Sequence, residues 1–465
     1  LAPLIGLLQG WQEVKCTLPM TVVMLDDPTA NPLDSMVISL IRSAREEIPH
    51  FQGRVMTLDK LTPDSLAGLV SELDCAVCDI EVAWRNGQRY VSRLSRLPAS
   101  DGMATRNLRH KAVLVGGLGG AGFILAQHLA KESDAPIWLL GRTPADRLSS
   151  ESLLRLARLR ELSAQIRYKA VDVTDYPALS DALVQINEDE GGRIGTLYNL
   201  AGNFAACAIH DINTATDFAQ LDCKVIGSSH LYSLAKELAI PSLILFSSAN
   251  GYLSGAGVAL YSAANRYQEA LAEQARQVEV ISLGWSMLND TGLSRGLAIQ
   301  SLTEAKGYQI LQPESAIPAL FWLNTAAAPA CVIGLNAQAP ALWQEFWFTP
   351  ALMPDARQPA AWQEEKLTTV TADGAQRGVA PAIAAIWQKL LDLDDLDWDE
   401  NLFDMGANSL LLPQVTLQVE QQLGVRLSLV ELFQYPTVSM LAGFIAPQCT
   451  HTAPADAVED QLMAF

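Results

Sequence analysis

The chain has 465 residues, 49% of them hydrophobic, and a formal net charge of −19. That length predicts roughly two to four domains. The acidic balance argues against a nucleic-acid partner, no apolar run is long enough to span a bilayer, and no signal peptide is visible, so a cytoplasmic protein is expected. The seven cysteines, an odd number and scattered, suit a reducing compartment better than a disulfide framework. Cys75 and Cys78 form a lone CxxC with no second pair or matching histidines, which reads as two buried thiols on a strand. The first residue is Leu1, not Met, which suggests a piece of a longer polypeptide.

Residues 1–100 read as alternating strands and helices. Strands are expected at Thr21–Leu25, Val55–Leu58 and Ala76–Ile80, and helices at Leu33–Glu47 and Pro63–Glu72. Trp84–Leu94 alternates around Asn86-Gly87, a hairpin turn signal. This is α/β material without a glycine-rich phosphate loop, hence a structural half.

At Lys111 the pattern sharpens. Ala112–Val115 is a buried strand. It runs into Gly116-Gly117-Leu118-Gly119-Gly120-Ala121-Gly122 and then a helix over 123–131. Strand, glycine loop and helix make the dinucleotide-binding arrangement, in which the backbone turns tightly and approaches a pyrophosphate at the positive helix end. The next strand, Ile137–Leu140, ends in Gly141-Arg142. An acidic residue there would hold a ribose 2′-hydroxyl, whereas an arginine suits a 2′-phosphate, so NADPH is expected. Strand 166–171 leads to Asp172 and Val173, plausible adenine contacts, and strand 197–202 ends in small residues, Ala201 and Gly202, where a cofactor can lie close.

Lys224 falls within a long amphipathic helix expected to run from Leu221 to Leu238. The apolar strand Leu243–Phe246 ends at Ser248, and an Ala-rich helix carries Tyr261 and Asn265. A serine at a strand end and a tyrosine on the following helix can face one carbonyl oxygen, the hydroxyl holding it and the phenol protonating it. A free phenol titrates at about 10 and needs a nearby cation to act at neutral pH. Lys224 supplies one. A strand at Val278–Leu283 follows, then Asn289–Gln300 as a candidate lid, and Leu335–Phe348 closes the domain.

Residues 349–375, rich in Pro, Ala and Thr, read as an interdomain linker. A helical bundle of about 70 residues follows, with nine acidic and three basic residues between 376 and 447. Ile383, Ile386, Trp387, Leu390 and Leu391 keep helical spacing, an acidic loop leads to Phe403, and Ser409 stands in Gly406-Ala407-Asn408-Ser409-Leu410 at the start of a helix. Residues 448–465 carry little pattern and are expected to form a flexible tail.

Together these residues resemble a ketoreductase and acyl carrier protein from a modular type I polyketide synthase, the reductase belonging to the short-chain dehydrogenase/reductase superfamily. The resemblance covers nearly the whole chain. It implies a two-subdomain Rossmann-like ketoreductase, structural half 1–100 and catalytic half 101–348, followed by a four-helix-bundle carrier at 376–447. The tetrad decides between relatives. Ordinary short-chain dehydrogenases place the lysine four residues after the tyrosine; here Asn265 stands there and Lys224 lies upstream, as in polyketide ketoreductases. The thirteen-residue gap to Tyr261 selects Ser248 over Ser247. By resemblance, Tyr261 protonates the β-keto oxygen, Ser248 binds it, Lys224 lowers the tyrosine pKa and touches the nicotinamide ribose, and Asn265 orders a proton-relay water. Ser409 would carry 4′-phosphopantetheine installed by a phosphopantetheinyl transferase. The expected substrate is an acyl thioester, and flanking ketosynthase, acyltransferase and downstream-module domains are expected partners.

The pattern has departures. Val115 stands where a threonine often precedes the glycines. Phe204-Ala205-Ala206 replaces the Leu-Asp-Asp of B-type enzymes, which leans to an A-type product; Leu253 replaces the A-type tryptophan, and Val258 the usual glutamine. Two other readings are weighed: a decayed reductase scaffold with a working carrier, against which the intact glycine loop and tetrad count, and a free-standing dehydrogenase, against which the fused carrier counts.

Overall fold

The computed structural model describes residues 1–16, 18–25, 31–49, 51–73, 79–97, 110–189, 192–289, 303–304, 306–322, 328–336, 339, 342, 376–391, 396–400, 402, 412–423, 425, 427, 432, 435 and 437–449. They fall into two units divided after Asp355.

In the first unit, short β-branched and leucine runs become parallel strands covered by helices, as runs buried on both faces do. A four-stranded sheet comes first: β1 (Met20–Leu25), β2 (Gly53–Leu58), β3 (Glu81–Arg85) and β4 (Gln88–Val91), in that spatial order. β1 to β3 are parallel, and β4 turns back antiparallel. The β3–β4 turn is Asn86-Gly87, with φ of 50° and 73°, the left-handed pair that a two-residue hairpin demands. Helix α1 (Ala2–Glu13) precedes this sheet, α2 (Met36–Glu47) joins β1 to β2, and α3 (Pro63–Leu73) joins β2 to β3. Asn31 accepts the Leu33 N–H at 3.1 Å and starts the turn of 3₁₀ helix that feeds α2.

The second sheet holds seven parallel strands: β5 (Lys111–Val115), β6 (Ile137–Gly141), β7 (Ile166–Ala170), β8 (Ile194–Asn199), β9 (Ser242–Ser248), β10 (Glu279–Trp285) and β11 (Ala330–Ile333). Their spatial order is β11-β10-β9-β8-β5-β6-β7. The chain winds outward from β5 in one direction and returns to β8 on its other side, so the strand order reverses between β5 and β8. Doubly wound sheets bind ligands at such a crevice, outside the carboxyl ends of the strands. The helices are α4 (Gly120–Glu132), α5 (Ser150–Leu162), α6 (Tyr176–Glu188), α7 (Ile226–Glu237), the short α8 (Asn250–Leu253), α9 (Ala259–Gln274) and α10 (Pro313–Ala319). Thirteen of the sixteen residues of α9 are buried. One face packs on β9 and β10 and another on α2, and a single core runs from Leu40, Ile41 and Phe51 through Leu260, Ala263 and Tyr267.

The structure adds to or corrects three expectations. No element is named before Thr21 in the sequence reading; Pro3 in its first turn and burial of Ile5 and Leu8 make α1 a helix. The strand expected at 76–80 lies mostly outside the described residues, as do Cys75 and Cys78, and the strand at 81–85 is the first arm of the expected hairpin, starting before Trp84. Lys224 is not within a helix. A 3₁₀ turn ends at Gln220, α7 starts only at Ile226, and the intervening N–H groups bond irregularly: Lys224 to Leu221 at 3.1 Å, Val225 to Leu221 at 2.8 Å and Gly227 to Asp222 at 2.9 Å. The irregular turn lets the lysine reach inward from a point where a regular helix would fix its direction.

The second unit contains α11 (Gln376–Leu391), α12 (Leu412–Leu423) and α13 (Val438–Cys449). Ile383 and Trp387 from α11, Val415 and Val419 from α12, and Leu441 and Ile445 from α13 form one apolar core. Phe403, Ser409, the linker 349–375 and the tail from 450 lie outside the described residues, as does the expected lid apart from Asn289.

Candidate active site

The glycine loop is packed to backbone tolerance. Gly116 has φ +82°, and a Cβ there would meet the Ala201 nitrogen at 3.0 Å; a Cβ on Gly122 would meet the Gly116 carbonyl oxygen at 2.4 Å. The first position requires a left-handed backbone and the second requires no side chain. The loop delivers the N-terminus of α4, with its free N–H groups, to the crevice between β5 and β8. On the other wall β9 ends at Ser248, and Tyr261 stands in the first turn of α9.

Gly116, Gly119, Gly120, Gly122, Gly202, Lys224, Ser248 and Tyr261 thus line one cleft of about 330 Å³, at the lower end of small-molecule site sizes. Burial pushes the Tyr261 phenol above its ordinary value, against the opposing hydrogen bonds of Ser248 and Asn265. The Phe204 ring stands edge-on to Tyr261, with centroids 5.1 Å apart, and walls the cleft on that side. Asn265 is fully buried one helical turn along, its Nδ2 donating to the Tyr261 carbonyl at 2.7 Å. Ser247 turns away: its hydroxyl donates to Glu269 at 3.1 Å.

The Lys224 ammonium is 4% exposed and donates to the Phe246 carbonyl at 2.6 Å and to Gln268 Oε1 at 3.2 Å. Burial brings its pKa down to about 8, with the field of Glu269 opposing. Gln268 is itself held, donating to Ser228 Oγ at 3.0 Å, and Asn199 Nδ2 reaches the same oxygen at 3.0 Å. Asn199 Oδ1 accepts the Ala201 N–H at 3.1 Å. A chain of buried amides and a hydroxyl therefore links the strand end beside the glycine loop to the lysine.

The remaining expected cofactor residues lie farther out. Arg142 is exposed at the end of β6. Asp172 spends its carboxylate on Thr174, accepting its N–H at 2.9 Å and its hydroxyl at 2.8 Å. Val173 is buried with its side chain against Gly227. The Leu118 carbonyl accepts from Arg155 at 2.8 Å, and Gly117 packs on Leu139 and Leu114. Sequence reasoning missed Asn250, Met287, Thr303 and Tyr308, which also line the cleft. Tyr308 donates to Asn250 at 3.0 Å. No local pattern announces Thr303 or Tyr308, because they are brought in by the returning chain after β10.

Residues 111–290 match the family model described as a KR domain, and residues 381–445 match the model described as a phosphopantetheine attachment site. The chain thus carries a KR-domain match followed by a phosphopantetheine-site match, and its relatives are polyketide synthases. It is 27% identical over 457 residues to polyketide synthase GfsA of Streptomyces halstedii, covering 90% of this chain and 6% of that protein. It is 26% identical over 441 residues to polyketide synthase PksL of Bacillus subtilis, covering 87% of this chain and 9% of that protein. The chain thus spans less than a tenth of either. In fold it resembles an A1-type ketoreductase structure, with a TM-score of 0.66 at 24% identity, covering 77% of this chain and 75% of that one. No helix among the described residues is long and apolar enough to cross a membrane.

Proposed function

We propose that this chain reduces a β-ketoacyl thioester, carried on 4′-phosphopantetheine at Ser409, to the β-hydroxyacyl thioester with NADPH. The observation that carries the reading is the convergence of Lys224, Ser248 and Tyr261, with Asn265 behind them, beside the glycine loop in one cleft. The cradle fits a dinucleotide: only glycine tolerates positions 116 and 122. Gly116, Gly117, Leu118, Gly119, Gly120 and Gly122, with Ala201 and Gly202, would hold the pyrophosphate and nicotinamide half, Arg142 the 2′-phosphate, and Asp172 and Val173 the adenine. When bound, the nicotinamide supplies hydride for the β-carbon.

The protein's own residues supply the rest. Ser248 donates a hydrogen bond to the keto oxygen and fixes its position. Tyr261 donates the proton, and its burial and the Phe204 ring keep water from competing. Lys224, cationic at neutral pH, compensates the phenolate left behind. Asn265 holds the first turn of α9 and orders the route by which the phenol is reprotonated. Domain boundaries near 100, 348, 376 and 447, a phosphopantetheinyl transferase partner and flanking ketosynthase, acyltransferase and downstream-module domains belong to the same reading.

The test is intact-protein mass spectrometry after incubation with a phosphopantetheinyl transferase and a β-ketoacyl coenzyme A, then NADPH. An acylpantetheine adduct lost in Ser409→Ala, followed by a gain of two hydrogens lost in Tyr261→Phe, is the expected result. Loading without reduction, for several acyl chains, would leave only the carrier; no loading would remove the substrate class. Replacing Arg142 by alanine should weaken NADPH and leave NADH binding unchanged.

A further inference from the structure

Two carboxylates at the end of α2 reach out of the structural half to three segments that border the cleft. Glu47 accepts the Ile209 N–H on one oxygen at 2.6 Å and the Gly257 N–H on the other at 2.8 Å. Glu46 accepts the Ala256 N–H at 3.3 Å and pairs with the Lys306 ammonium at 2.9 Å. Each partner belongs to a segment that borders the cleft: 203–209 carries the lining residue Phe204, 254–258 lies between the lining residues Asn250 and Tyr261, and Lys306 stands two residues before the lining residue Tyr308. The first two are laced together, with Cys207 N–H donating to the Gly257 carbonyl at 2.9 Å. The middle segment cannot take up regular structure, since Ser254 (φ 59°) and Gly257 (φ 71°) are both left-handed. The N–H groups of Ala256 and Gly257 point to the two carboxylates, where a helix or strand would have paired them with carbonyls.

We propose that Glu47, seconded by Glu46, is a positioning residue that sets the width of the substrate cleft, holding the Phe204 wall and the Tyr261 wall at a fixed separation. This gives the structural half a part in substrate recognition, and it rests on the reductase reading above. The bidentate use of Glu47 makes the clamp sensitive to protonation, because a proton on either oxygen displaces one N–H. Burial raises that carboxyl to about 7. The charged and titratable groups facing it are Glu46 on its own helix, Asp211 and Cys207 from the 207–211 segment, and Lys306 through Glu46.

The experiment compares the full chain with Glu47→Gln, which keeps size and one acceptor, and Glu47→Ala. Hydrogen exchange followed by mass spectrometry should show segments 204–209 and 254–258 exchanging about tenfold faster in both variants, the effect of losing a hydrogen bond to a charged group. Exchange at 112–125, across the glycine loop, should stay unchanged. With an acyl thioester and NADPH, KM for the thioester should rise about tenfold while NADPH Kd stays within about twofold. Wild-type KM should also be lower at pH 8 than at pH 6, a difference lost in Glu47→Gln. Unchanged exchange in the two walls overturns the proposal, as does faster exchange spread evenly over the unit or a parallel rise of KM and NADPH Kd. A wild-type chain that reduces no thioester would sink the reductase reading alone, and exchange would still decide the clamp.

Discussion

In the proposed reaction Tyr261 faces opposing demands: it must be dry enough to hold its proton for the substrate, yet able to release it. Burial meets the first, and the hydrogen bonds of Ser248 and Asn265 act toward the second. Removing its hydroxyl in Tyr261→Phe should lower kcat by about 10²- to 10⁴-fold, the usual contribution of a positioned proton donor, with NADPH affinity unchanged in a fluorescence titration. Lys224 gives a sign to the pH dependence. Its folded pKa of about 8 lies below the unfolded value, so the ammonium is present below that pH and lost above it. The proposed role of the cation therefore predicts kcat falling as pH rises through about 8, and this limb should disappear in Lys224→Met. Stability runs the other way. Between the folded and unfolded pKa values the unfolded chain binds more protons, so Lys224 makes the fold gain stability as pH rises from about 8 toward the free-lysine range. Chemical denaturation at two pH values in that window, with Lys224→Met as control, checks it.

At the scale of elements, most of the parallel strands were legible as short apolar runs, although β11 was not foreseen, and the hairpin was legible because Asn86-Gly87 has one natural use. The glycine loop was legible for a related reason: its spacing serves a backbone that side chains would obstruct. Gly122→Ala places a methyl 2.4 Å from a carbonyl oxygen and 2.8 Å from the Gly117 Cα, both backbone atoms that cannot rotate aside. It should cost about 1–3 kcal/mol in denaturant unfolding and weaken NADPH binding more than it weakens the fold. The turn around Lys224 was misread because Leu221, Val225 and Ile226 carry helix-like spacing; its actual bonding is set by contacts with β9 and α9, which no local window contains. Thr303, Tyr308 and Gln268 were invisible for the same reason. The row of buried charges from Arg42 through Glu81 to Arg266 and Glu269 also escaped notice, because its members come from α2, β3 and α9. Glu81→Ala leaves Arg42 and Arg266, both under a tenth exposed, without a shared counter-charge. A loss of a few kcal/mol, about 2–4, is expected, read as a fall in Tm.

At the scale of the molecule, one chain holds the KR match and the phosphopantetheine-site match, and the nine acidic residues against three basic ones between 376 and 447 suit docking on basic enzyme surfaces. If the arm on Ser409 delivers the substrate, tethering supplies roughly millimolar local concentration. Ser409→Ala should then abolish turnover of loaded substrate while leaving slow reduction of an untethered β-ketoacyl thioester intact, measured as NADPH oxidation. The core of the second unit was legible in part: the spacing of Ile383, Ile386 and Trp387 marks the buried face of α11.

The burial of α9 has a consequence for anyone recombining such synthases. The helix that carries Tyr261 and Asn265 is covered on one side by the sheet of its own half and on the other by α2, which comes from the first hundred residues. A crossover placed at the start of β5, where the family match begins, would pair α9 with a foreign α2 and ask Arg266, Leu260 and Tyr267 to fit a surface they were not selected against. A graft that carries residues 1–100 along with the catalytic half keeps that seam intact, and is the exchange the architecture permits.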